Sequence, residues 1–468
     1  MKKFLCTLLA LATCQLSSGE ARVEEVPVVV LGGGVGALTA ATYLGRAGIT
    51  PIVFTGPVLG GAIIQSDSVQ NWPGELDISG IQLIEKMQTQ ALANGAILRP
   101  EAVLNVDFSK RPFVITAKEM FQKEPMKIRA QAVIIALGAV PNMLGVPGEK
   151  EYWTRGVYNC AVCDGALYKD KVIAIVGGGD SALCDANYLS NLAKKVYILV
   201  RHDKFKTVEE ARKKEILSRP NVEVLFNTSI EEIKGDGEKV SRLLVQKKDG
   251  KKEELAVDAL FLAIGSQPNT SLFQNQLKLD ESGYIVLKKQ QQTSVEGVFA
   301  LGDVVDPEFK QAVTAAGDAA KAALQAQRWL VNHPLLVKKE EKSQNVPPAQ
   351  TVTQLASHAQ LQEEIQKKSG PLFVYFYSTH CVPCRTFSVY FQSWAKEFLG
   401  KIRFFKVDVD KVHELSQHYG ISAIPTVLVL DKEGKILYTG RGLNDLADLG
   451  SHLEEMKGRE SIDLSNLR

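Results

Sequence analysis

The sequence predicts an α/β protein: two three-layer, dinucleotide-type units, then a smaller, separate α/β unit. Three observations carry this. An apolar, β-branched run leads straight into a glycine turn twice, at Gly32-Gly33-Gly34 and at Gly177-Gly178-Gly179. Each turn is followed by a helical stretch and another apolar strand, the order of a βαβ unit. A charged, polar, proline-containing segment, residues 333–351, then sets apart a C-terminal region with strands of its own.

The bulk numbers agree with a multidomain globular chain. Its 468 residues correspond to about three domains at about 150 residues each. A composition 45% hydrophobic and 23% charged excludes a collagen-like or wholly disordered protein. The 55 basic and 53 acidic residues leave a net charge of +2, so no global electrostatic case exists for a nucleic-acid partner. Seven cysteines are too few for a disulfide scaffold. Four of them form two C-x-x-C pairs, Cys160/Cys163 and Cys381/Cys384; Cys6 and Cys14 lie near the N-terminus. Cys184 stands alone and is expected in the core, because free cysteine is among the most buried residue types. The seven histidines show no paired metal spacing, and no metal site is expected.

Residues 1–22 read as a signal-like leader or an N-terminal extension. Lys2 and Lys3 precede an apolar run from Phe4 to Cys14, and small residues follow. This is the pattern of a secretory signal, and the run is too short for a comfortable spanning helix. Membrane contact is expected only if the leader is an uncleaved anchor.

Val26–Leu31 reads as the first strand, and Leu38–Ala47 as the helix after the first turn. Gly32-x-Gly34-x-x-Ala37 fits the dinucleotide fingerprint. The first glycine permits the tight turn, the second lets a pyrophosphate approach, and the small third residue lets helix and strand pack closely. Thr55, after the next strand, stands where an acidic ribose-binding residue is often found; its hydroxyl keeps hydrogen-bonding capacity. Gly177-x-Gly179-x-x-Ala182 repeats the logic. Arg201, His202 and Lys206 follow its second strand, and a basic cluster there suits the 2′-phosphate of NADP rather than the hydroxyl of NAD.

Cys160-Ala161-Val162-Cys163-Asp164-Gly165 precedes the second turn. Such a pair is a redox dithiol or half of a zinc site, and the local sequence lacks the other zinc ligands. Two dinucleotide folds and a dithiol make a coherent electron path from nicotinamide to flavin to disulfide. Asp164 is placed to supply or remove the thiol proton. In the C-terminal region, Phe373–Tyr377 reads as a strand ending at Cys381-Val382-Pro383-Cys384, and Phe387, Phe391, Trp394 and Phe398 mark the core face of the next helix. A thiol at a helix N-terminus has its thiolate stabilised. Ile424-Pro425-Thr426 reads as a cis-proline turn.

Gly60-Gly61, Asn71-Trp72-Pro73-Gly74, Cys160–Gly165, Gly177–Ala182, Gly265–Asn269, Gly302-Asp303 and Lys310-Gln311-Ala312 occur in an order that resembles the low-molecular-weight thioredoxin reductases over residues 26–332. Residues 352–456 resemble thioredoxin through the C-x-P-C helix start and the Ile-Pro-Thr turn. The resemblance implies a discontinuous FAD-binding domain (23–145 and 275–332), an NADPH-binding domain with the dithiol (146–274), a linker (333–351), a thioredoxin domain (352–458) and a polar tail (459–468). It assigns FAD to Gly32, Gly34, Ala37, Thr55, Gly60, Gly61, Asn71, Gly302, Asp303, Lys310, Gln311 and Ala312. NADPH falls to Gly177, Gly179, Ser181, Arg201, His202 and Lys206. Cys163 would lie against the flavin, Cys160 would attack the substrate disulfide, and Asp164 would be the acid/base. In the tail unit Cys381 would be the nucleophile, Cys384 the resolving thiol, Pro425 the shaper of the substrate groove and Gly442 a groove glycine.

The chain departs from both patterns. His202 and Lys206 lack the bidentate fork of arginine. Ala62 and Leu137 stand where Gln and Thr are common. His380 and Val382 replace Trp and Gly, and Tyr375 replaces the Asp that partners Lys406; an altered redox poise is expected. The implied protein is an NADPH-dependent reductase with a tethered thioredoxin, a homodimer acting on client protein disulfides. Two other readings remain: a flavin-dependent dithiol oxidase, and a reductase whose tail only docks clients. For location, the leader argues for export, while FAD loading and NADPH supply argue for the cytoplasm, and the second argument prevails.

Overall fold

The computed structural model describes residues 24–118, 125–206, 208–333, 352–378, 381–456, 462 and 464. The leader, nearly all of the linker and His380 lie outside these residues.

The chain enters a first domain through β1 (Glu24–Leu31), α1 (Val35–Arg46), β2 (Pro51–Phe54), α2 (Gly80–Ala93), β3 (Ile97–Arg99), β4 (Ala102–Asp107), β5 (Phe113–Lys118) and β6 (Met126–Ile135). It crosses out through β7 (Ala139–Pro141). A second domain follows: β8 (Val157–Tyr158), α3 (Ala161–Asp164), β9 (Val172–Val176), α4 (Asp180–Ser190), β10 (Lys195–Val200), α5 (Glu210–Leu217), β11 (Val222–Phe226), β12 (Thr228–Gly235), β13 (Val240–Lys247), β14 (Lys252–Ala256) and β15 (Ala259–Leu262). The return strand β16 (Ser266–Pro268) pairs antiparallel with β7, so the two crossings run side by side. Phe273 is already in the core of the first domain, which β17 (Val298–Ala300) and α6 (Ala312–Asn332) complete.

In the first domain the sheet order is β3-β2-β1-β6-β5-β4, with β17 also on β6. β1 is buried on both faces: Val28 and Val30 point into the core under α1, α2 and α6, and Val29 and Leu31 into the opposite one. This is the period of two that a covered parallel strand requires. A capping box between Ser79 and Gln82 starts α2. The second domain carries the parallel sheet β11-β10-β9-β15-β8 and the antiparallel sheet β12-β13-β14. Ile173 and Ile175 face the α4 side, and Ala174 faces the side of Ile233 and Leu243.

The third domain comprises β18 (Val352–Gln354), α7 (His358–Gln366), β19 (Leu372–Tyr377), α8 (Val382–Glu397), β20 (Arg403–Asp408), α9 (His413–His418), β21 (Thr426–Leu430), β22 (Ile436–Arg441) and α10 (Gly442–Glu455). Its sheet order is β18-β20-β19-β21-β22. The stripe Phe387, Phe391, Trp394 and Phe398 is core, as its spacing predicts. Cys184 is not: it is exposed. The buried face of α4 is Ala182, Leu183, Ala186 and Leu189, and Cys184 lies off it, so helix register overrides the usual preference of the thiol. No described helix is long and apolar enough to cross a membrane.

Candidate redox site

The first glycine turn lies at the C-terminal end of β1. Gly32 has φ +124°, and a Cβ there would come within 2.2 Å of the Ala136 carbonyl oxygen; only glycine fits. Gly34 is the N-cap of α1. The Gly60 amide donates to the Gly33 carbonyl at 3.0 Å, and a Cβ on Gly61 would stand 3.2 Å from the Gly34 Cα. A Cβ on Gly36 would press on Leu301, and one on Gly302 would stand 3.2 Å from the Ala315 Cβ. The starts of α1 and α6, Gly60-Gly61 and Gly302-Asp303 thus meet at one cleft. Bare backbone beside two helix N-termini suits a pyrophosphate, so these residues fit FAD. Ala37 is fully buried in the first turn of α1. The Thr55 hydroxyl already reaches the Gly56 carbonyl at 2.9 Å, which leaves it as an acceptor.

The dithiol segment abuts this cleft. Cys160 and Cys163 form a disulfide. Cys160 is the N-cap of α3, and the Cys163 amide donates to its Sγ at 3.2 Å. That amide would stabilise a Cys160 thiolate after reduction. Gln311 Nε2 donates to the Cys160 Sγ at 3.7 Å, and Asn71 Nδ2 donates to Gln311 Oε1 at 3.2 Å. The second domain is therefore oriented with its disulfide toward the cleft of the first. Trp153 Nε1 holds the same orientation by donating to Gln65 Oε1 at 2.8 Å.

Burial without a cationic partner raises the Asp164 carboxyl to about 6. That value suits a group that exchanges a proton with a thiol near neutrality. Burial also raises Asp303 to about 6, with Asp306 adding to the effect and Lys310 opposing it. Lys310 Nζ donates to Ser266 Oγ at 3.2 Å.

Asp185 was not anticipated from the sequence. Burial raises it to about 7, and Lys310 of the other domain opposes the shift. The available signal was its place on α4, in register with the apolar Ala182 and Leu189.

At the second turn a Cβ on Gly177 would meet the Ala263 carbonyl oxygen at 2.4 Å, while Gly179 faces open space as the N-cap of α4. Ser181, Arg201, His202 and Lys206 are all exposed. The Lys206 amide donates to the Gly178 carbonyl at 2.7 Å, which folds the basic loop back over the glycine turn. Arg201 Nε donates to His202 Nε2 at 3.1 Å. An open helix N-terminus flanked by cationic side chains fits NADPH.

The third domain repeats the geometry of the first pair. Cys381 and Cys384 form a disulfide. Cys381 is the N-cap of α8 and accepts from the Cys384 amide at 3.1 Å; Cys384 is buried, 1% exposed. The Ile424-Pro425 bond is cis. The Gly442 amide donates to the Pro425 carbonyl at 2.8 Å, which fixes the turn beside the pair. Tyr375 donates from its hydroxyl to the Cys384 carbonyl at 2.7 Å. Burial pushes this phenol well above its ordinary range, so it stays neutral and anchors backbone rather than taking a proton. Lys406 Nζ lies 5.5 Å from the centre of the Tyr377 ring.

Residues 26–319 match the family model "Pyridine nucleotide-disulphide oxidoreductase", and residues 352–455 match "Thioredoxin". NADPH-dependent thioredoxin reductase 3 of Arabidopsis thaliana is 36% identical over 88% of this chain and 80% of its own length. The bifunctional thioredoxin reductase/thioredoxin of Mycobacterium leprae is 32% identical over 91% of this chain and 97% of its own. Among solved structures, thioredoxin reductase from Giardia duodenalis superposes with a TM-score of 0.62 at 42% identity, over 66% of this chain and 99% of that one.

Proposed function

Because the chain belongs to the pyridine nucleotide-disulphide oxidoreductase family, as an NADPH- and FAD-dependent thioredoxin reductase with its own thioredoxin domain, we propose the following division of labour among its residues. Held at the Gly32–Gly34 turn, Gly60-Gly61 and Gly302-Asp303, FAD would supply the two electrons, drawn from NADPH, that open the Cys160–Cys163 disulfide. Cys163 would lie on the flavin side, and Cys160 would be the attacking thiolate, stabilised by the Cys163 amide. It bonds to the Cys381 Sγ and breaks the Cys381–Cys384 bond, leaving a Cys384 thiolate. Cys163 then attacks the Cys160 Sγ, re-forms the first disulfide and releases Cys381. Asp164 carries the proton for these thiols. The reduced tail unit passes the electron pair to client protein disulfides through Cys381.

The observation that carries this reading is the shared arrangement of the two pairs: each first cysteine is an N-cap that accepts the amide of the second. Trapping tests it. In a Cys163→Ser/Cys384→Ser chain, a Cys160–Cys381 disulfide is expected in a tryptic digest; its absence contradicts the assignment. We place the protein in the cytoplasm on the supply of FAD and NADPH, and assign it a homodimer, in line with the resemblance noted above.

A further inference from the structure

The thioredoxin domain does not sit at Cys160. It lies against the first domain, where α8 meets β3 and the C-terminal half of α2. Gln88 Nε2 of α2 donates to Gln392 Oε1 of α8 at 2.9 Å. Gln88 is only 7% exposed, although its helix neighbours Glu85 and Thr89 are exposed. Beside this contact a cavity of about 670 Å³ separates the domains, with Ile81, Glu85 and Thr89 on one wall and Tyr377, Cys384 and Lys406 on the other. Glu85 faces Lys406 and Lys411, with Asp408 nearby. No residue of α3 lines the cavity.

Three features define the contact. It is specific, because an amide pair is matched and a carboxylate faces two ammonium groups. It is loose, because atoms lining a void lack packing partners across it, and polar contacts between domains of one chain separate readily. It is also unproductive for exchange. The reductase disulfide is turned toward Gln311, while the walls around Cys384 come from α2 and its neighbours.

We propose that the α2–β3 face of the FAD-binding domain is a resting dock for the chain's own thioredoxin domain, and that leaving it gates electron delivery to Cys381. This rests on the relay described above. The dock and Cys160 belong to the same chain as the thioredoxin domain, so they compete for it within one molecule. A weak dock therefore suffices to shift the balance between the two positions.

The test uses full-length, FAD-loaded protein with Gln88→Arg or Gln392→Arg. Each change adds bulk between α2 and α8, and a cation at a contact to which the thioredoxin domain already brings Lys396 and Lys406. Small-angle scattering and NADPH-driven insulin reduction are read on both. The expected result is a larger radius of gyration and at least twofold faster insulin reduction, with unchanged flavin reduction by NADPH. Either quantity staying at the value of the unmodified chain, or slower insulin reduction, overturns the proposal. If Gln88→Arg fails to hold FAD, Gln392→Arg decides. A parallel Cys381→Ser chain separates the two readings: insulin reduction surviving that change defeats the relay, and scattering alone then judges the dock.

Discussion

Gln311 Nε2 stands 3.7 Å from the Cys160 Sγ, across a boundary between two domains and 151 residues of sequence. The contact couples the start of α6 to the dithiol segment, and Asn71 holds the other end of the same amide. Gln311→Ala removes it. Electron transfer from reduced FAD to the disulfide is expected to slow roughly tenfold, the equivalent of about 1.4 kcal/mol, with NADPH-dependent flavin reduction unchanged. Stopped-flow flavin absorbance reads both steps.

Gly32 has no room for a side chain, since an added Cβ would lie 2.2 Å from the Ala136 carbonyl oxygen. Gly32→Ala is expected to give a folded thioredoxin domain on a chain that purifies without FAD. Flavin content after purification is the check.

Arg201 and Lys206 flank the second glycine turn. Charge-assisted hydrogen bonds to a phosphate are worth about 1.5–3 kcal/mol each, so Arg201→Ala or Lys206→Ala is expected to raise the KM for NADPH roughly 10- to 100-fold. The KM for NADH, which lacks the 2′-phosphate, should move little. Equal losses for both cofactors would contradict the assignment.

Asp164 titrates near 6 because it is buried. Below that value it is protonated and can donate to a departing thiolate; above it the proton is gone. Disulfide reduction is expected to fall as pH rises through about 6, with Asp164→Asn removing that limb. The same shift has a sign for stability. The native state holds this proton more tightly than the unfolded chain, whose Asp titrates near 3.9. Asp164 therefore lowers stability progressively between about pH 4 and about pH 6, and by a constant amount above that, so Asp164→Asn should raise Tm more at pH 8 than at pH 4.

The local parts of this site were legible in the sequence. A Cβ at Gly32 or Gly177 collides with backbone, so the fingerprint reports a steric necessity. Two cysteines one helical turn apart at an N-cap bring their own amide to the thiol, which spacing alone predicts. Contacts between domains were not legible. Gln311 meets Cys160, and Lys310 faces Asp185, only because one domain is rotated onto the other, and no periodicity in either segment encodes that angle. Cys184 is exposed because its position on α4 outweighs the general preference of free cysteine for the core.

The central claim is that electrons leave through the tethered pair. NADPH-driven insulin reduction by the full-length protein and by Cys381→Ser tests it most directly. The account predicts activity in the first and its loss in the second, with NADPH still reducing the flavin in both. Equal insulin reduction by both would contradict it, because the reductase would then be serving clients without its own thioredoxin domain.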